Sequence, residues 1–101
     1  MNIPNYYAIL TADVRYCQEL SAQEKLLFAE ITALSNKDGF CTAGNDYFSK
    51  LYNLTSVSIS RQISALEKAG FIKIEYERKG TRVTKRYITI NKNVNGIAVA
   101  I

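Results

Sequence analysis

Only three residues, Asn53-Leu54-Thr55, separate two stretches with helical patterning, and a connection that short holds the two helices in a tight corner. Upstream, Asp46 to Tyr52 carries Tyr47, Phe48, Leu51 and Tyr52 as its apolar residues, with Asn45 or Gly44 as the cap. Downstream, the Thr55 hydroxyl can accept a hydrogen bond from a first-turn amide, and Ile59, Ile63 and Leu66 recur at helical spacing as a buried stripe. That stripe leaves Ser56, Val57, Ser60, Arg61, Gln62 and Ser64 pointing away from the core. The corner needs a residue that tolerates positive φ, which Asn53 does better than any residue but glycine. Ser49, four positions earlier, is small enough to let the helices approach closely, and Leu54 plugs the corner from inside.

Gly70 ends the downstream helix, because it adopts the left-handed conformation that a β-carbon resists. Beyond it Ile72, Ile74 and Tyr76 alternate with Lys73, Glu75 and Glu77, and Thr84 to Ile90 supplies a second strand. The loop between them, Lys79-Gly80-Thr81-Arg82, is short, basic and glycine-bearing. Earlier in the chain, Ser21 and Glu24 form a capping box for a helix of about 13 residues with Leu26, Leu27, Ile31 and Leu34 as its apolar face. Ser35 to Gly39 is turn chemistry, and Phe40 to Thr42 is expected as a short strand that pairs with the hairpin. Tyr6 to Leu10 is expected as a short strand or extended arm, and Asp13 to Leu20 as a turn or short helical piece. The expected organisation is one domain over residues 1–90, arm included, with a linker or tail over 91–101.

With 101 residues, 48% of them apolar, and a single proline, the chain suits one small folded domain. No run approaches the roughly 20 apolar residues of a membrane span. The opening MNIPNYYAIL lacks the basic start and long apolar stretch of a secretory signal, so a soluble, cytoplasmic chain is expected. Cys17 and Cys41 do not make a disulfide framework and are expected to be reduced. The absence of histidine excludes His-ligated zinc and Ser-His or Cys-His catalysis, and neither a GxxxxGKS/T nor a GxGxxG phosphate loop occurs. Glu75 and Glu77, on one face of an exposed strand, are expected to balance Lys73 or Arg86. No enzymatic activity, cofactor or metal is expected.

Charge is unevenly divided. Residues 1–54 hold four basic and six acidic side chains, a balance of −2, whereas residues 55–101 hold nine basic and three acidic, a balance of +6. The positive potential therefore lies on the half that carries the second helix of the corner and the hairpin, as a polyanion partner requires. A charged run alone describes any solvated surface; what matters is its coincidence with a helix rich in hydroxyls. Serine and threonine bond to phosphates or base edges, while Arg61 and Gln62 carry the donor patterns that suit guanine and adenine.

The order of capped helix, short strand, helix, corner, helix, GFI and basic hairpin resembles the winged helix-turn-helix family over Ser21 to Ile90. Within it YYAILTADVRY, ELSAQEKLLFAEITALSNKDGFC, NDYFSKLYNLTSVSISRQISALEKAGFI and KRYITI look like the N-terminal domains of phage and plasmid replication initiators of low-GC Gram-positive hosts, the replisome-organiser or DnaD-like N-termini. The resemblance implies an α+β winged helix-turn-helix with three main helices, a small antiparallel sheet and one β-hairpin wing. It puts Thr55, Ser56, Val57, Ser58, Ser60, Arg61 and Gln62 on the leading face of a recognition helix, and Lys79, Gly80, Thr81 and Arg82 at the wing tip. The chain departs from the common pattern at Asn53, where glycine is usual, and at Val57 and Gln62, where basic or aromatic residues are frequent. The implied function is sequence-specific binding of double-stranded DNA in phage or plasmid replication initiation, with transcriptional regulation as the other use of the same contacts. The implied partners are duplex DNA and replication proteins, and no membrane. A rival reading is a protein-interaction module that assembles through Ile3 to Leu10 or Ile97 to Ile101.

Overall fold

Four helices and one hairpin follow in order along residues 7–91, the part of the chain that the computed structural model describes: α1 (Ala12–Arg15), α2 (Ala22–Leu34), α3 (Asn45–Tyr52), α4 (Ser56–Lys68), β1 (Ile72–Lys79) and β2 (Arg82–Ile90). Residues 1–6, which include Tyr6 at the start of the expected arm, and the linker and apolar end after Asn91 lie outside the described residues. The architecture is an α+β winged helix-turn-helix. Its core is shared by every element: Val14 from α1, Phe28 and Ile31 from α2, Phe48 from α3, Ile59 and Leu66 from α4, Ile72 from β1 and Ile88 from β2.

Local chemistry starts and stops the helices where the sequence places it. Ser21 Oγ accepts from the Glu24 amide at 3.1 Å while Glu24 Oε1 accepts from the Ser21 amide at 2.8 Å, so the capping box is complete. Thr55 Oγ1 caps α4 by accepting from the Ser58 amide at 3.1 Å. Gly70, at φ +86, carries the chain out of α4, its N–H bonding the Glu67 carbonyl and that of Phe71 the Leu66 carbonyl. Tyr52 ties α3 to α2 by donating its hydroxyl to Glu30 at 3.3 Å; burial and then the Glu30 charge hold its pKa above the ordinary value, which keeps the phenol a donor.

The corner is built on Asn53. Its φ of 56° and ψ of 48° make it the one non-glycine residue with positive φ among the described residues, and Leu54 turns back to bond the Ser49 carbonyl at 2.9 Å. Asn53→Gly is therefore expected to melt at or above the parent temperature. Asn53→Val is expected to lose more than about 1 kcal/mol, because a β-branched side chain is strained in the left-handed region. Thermal melts of the two variants check this, and equal melting temperatures would contradict it.

Two expectations are corrected and a third is narrowed. Leu26 is 50% exposed, and α2 instead buries Leu27, Phe28 and Ile31 together with Ala29 and Ala33. The strand expected over Phe40 to Thr42 reduces to a single bridge in which Cys41 and Ile88 exchange two 2.8 Å backbone hydrogen bonds, because the chain goes on at once to the α3 cap at Gly44. Residues 7–10 form no strand; the segment is held to α2 where the Ile9 amide and carbonyl both bond Thr32 Oγ1. Cys41 is buried and Cys17 partly so, and both are free thiols.

Candidate nucleic-acid interface

Helix α4 has two faces that share no side chain. Ile59, Gln62, Ile63 and Leu66 are buried, at i, i+3, i+4 and i+7, whereas Val57, Ser60, Arg61, Ser64 and Lys68 repeat the same spacing on the opposite side and are all exposed. The outward face is thus two hydroxyls, a guanidinium, an ammonium and one aliphatic group, 63% exposed at Val57. Ser56 is also exposed, but its hydroxyl donates to Asp46 Oδ1 at 3.3 Å and so links the first turns of α4 and α3. Thr55 spends its hydroxyl on the helix cap.

Gln62 corrects the expectation that it points away from the core. It is 7% exposed, its Oε1 accepts from Gln23 Nε2 of α2 at 3.3 Å, and its Nε2 donates to Ser58 Oγ at 3.1 Å. As oriented it offers no free donor pair to a base edge. The signal was present in the sequence: once Ile59, Ile63 and Leu66 define a stripe, position 62 fills the i+3 place on it, whatever its polarity. Spacing outranks residue type here, and the amide is tolerated because both its ends are bonded. Ser58, half-buried beside it, accepts from Gln62 and keeps its own proton for another acceptor.

The hairpin closes through Gly80, whose φ of +66 at the first of two turn residues fits a type II′ connection between Lys79 and Arg82. Lys79, Gly80, Thr81 and Arg82 are all exposed at its tip. A bulge follows, since Glu77 pairs with Lys85 but Arg78 pairs with Val83, and the extra residue, Thr84, bonds back to the Glu77 carbonyl at 3.1 Å. Arg78 and Lys85 are exposed cations of the same hairpin that fell outside the expected contact set. Ser64 and Lys68 were likewise left out of it, although both lie on the stripe that Val57 begins.

The hairpin is braced against the start of α3 by Arg86. Its Nη1 donates to Asn45 Oδ1 at 2.8 Å and its Nη2 to the Ala43 carbonyl at 2.9 Å, at the two residues that flank the Gly44 cap of α3. Burial pulls the Arg86 pKa below the ordinary arginine value, opposed by the neighbouring Tyr76 and Cys41, and the guanidinium stays charged. Of the two cations expected to balance the strand carboxylates, Lys73 does so, 3.8 Å from Glu75, but Arg86 does not. Arg86 pairs across the hairpin with Tyr76, and alternation puts Tyr76 on the face opposite Glu75 and Glu77. Glu77 instead accepts from the Tyr87 hydroxyl at 3.0 Å.

A hydroxyl-rich outward helix face beside a short corner, with a cationic hairpin fixed to the start of α3, can bond to phosphates and base edges together. Residues 18–72, slightly more than half of the chain, match a family model described as a helix-turn-helix domain. No curated protein and no solved structure matches the chain. No helix among the described residues is long and apolar enough to cross a membrane.

Proposed function

The chain belongs to this helix-turn-helix domain family, and on that footing we propose that it binds double-stranded DNA in a sequence-specific way, without performing chemistry on it. In this reading α4 enters the major groove and the hairpin lies on adjacent backbone or minor groove. The observation that carries it is the outward face of α4, where Ser60, Arg61 and Ser64 stand exposed opposite a fully buried stripe. Arg61 takes the base-reading role, since its forked donors match a guanine edge, and Lys79 and Arg82 take phosphate roles at the wing tip. The segments that resemble replication initiators support a role in phage or plasmid replication; a transcriptional regulator would use the same contacts.

Arg61→Ala is expected to cost about 1–3 kcal/mol on a selected site and to relax preference at one base pair. Lys79→Ala combined with Arg82→Ala is expected to weaken a selected and a scrambled duplex alike, because phosphate contacts carry no sequence. Titrations of both variants on both duplexes separate the roles. Equal losses for Arg61→Ala on the two duplexes would make Arg61 a phosphate contact.

A second reading, assembly with another copy or with replication proteins, draws on the exposed Tyr7, Ile9, Tyr16 and Leu26. Sedimentation distinguishes it: a stable oligomer that shifts no duplex would favour this reading over the first.

A further inference from the structure

We propose that Val57 reads a thymine methyl group, so that the preferred DNA site carries a thymine within about two base pairs of the guanine read by Arg61. The inference rests on the DNA-binding reading and adds to it the chemistry of one base. Val57 is 63% exposed, more than Leu26 at 50%, Ile9 at 48% or Val83 at 44%. Single exposed aliphatic groups are ordinary on protein surfaces, and what distinguishes this one is its place. It occupies the second position of α4, in the turn that a groove-reading helix leads with, on the same face as Ser60, Arg61 and Ser64. Its neighbours offer hydrogen bonds; Val57 offers none, so among base edges in the major groove the group it can favour is the C5-methyl of thymine. Val57 and Arg61 are four residues apart, about 6 Å along the helix, which is close to two base-pair steps.

The test uses duplexes selected by this chain from a pool with a randomised core. Each thymine of the selected duplex is then replaced in turn by deoxyuridine, which removes the methyl group and leaves pairing intact. One replacement, close to the guanine lost in the preference of Arg61→Ala, is expected to weaken binding about fourfold, the equivalent of returning one buried methyl to water. Val57→Ser is expected to bind the thymine and deoxyuridine duplexes equally, while Val57→Ile keeps the distinction. If every deoxyuridine duplex binds the parent chain as tightly as the thymine duplex, or if Val57→Ser retains the penalty, the assignment of Val57 is overturned while DNA binding stands. If no duplex is retained from the pool at any salt concentration, the DNA-binding reading itself falls, and this inference falls with it.

Discussion

Raising salt from about 50 to about 200 mM is expected to cost the domain roughly 500-fold in DNA affinity, as a logarithmic slope between −4 and −5. The estimate comes from the five exposed cations of α4 and the hairpin that have no carboxylate partner among the described residues and no base-reading role: Lys68 on α4, and Arg78, Lys79, Arg82 and Lys85 on the hairpin. Each phosphate neutralised releases condensed counterion and contributes about −0.9 to the slope. Lys73 is left out because Glu75 lies beside it. Four of the five stand on the hairpin, so removing Lys79 and Arg82 is also expected to flatten the slope by about two, whereas Arg61→Ala flattens it by at most one. Affinity that stays constant across this range would mean that the basic half of the chain does not meet phosphates.

Phe48→Ala is expected to have the largest effect on stability, about 3–5 kcal/mol. Phe48 is wholly buried in α3, edge-on to Tyr47 at 5.5 Å, within the core that also receives Ile59, Ile63 and Leu66 from α4. A domain of this size has a total stability of only about 5–15 kcal/mol, and each kcal/mol moves the melting temperature by about 4–8 °C. The melt should therefore fall by at least about 12 °C. DNA binding should fall with it even below the new melting temperature, because the cavity lies where α3 sets the direction of α4. A melt within about 4 °C of the parent would remove Phe48 from the core.

What was legible in the sequence was decided over a few residues. The Ser21 and Glu24 box, the Thr55 cap, the left-handed Asn53 and the Gly80 turn each depend on neighbours within four positions, and each forms as its residues dictate. What was not legible depended on partners far along the chain. The burial of Gln62 follows from its place on the stripe, but the partner that meets its amide, Gln23, stands 39 residues away. Arg86 turns inward because Ala43 and Asn45, more than 40 residues away, offer it oxygens. Leu26 stands half-exposed because α2 turns its Leu27, Phe28 and Ile31 side to α4 and the sheet. In the contact set, sorting by polarity brought in Gln62 from the buried face, and stopping after the leading turns left out Ser64 and Lys68 on the exposed one.

The separation of the two faces of α4 has an evolutionary consequence. Substitutions at the solvent side of a helix ordinarily shift stability by no more than about 0.5 kcal/mol, against several for the packed side. Positions 57, 60, 61, 64 and 68 can therefore change identity without drawing on the margin that keeps the domain folded. Under the proposed DNA-binding reading, descendants of such a chain acquire new targets by drift at those five sites, one substitution at a time, while the packed stripe and the corner are inherited unaltered.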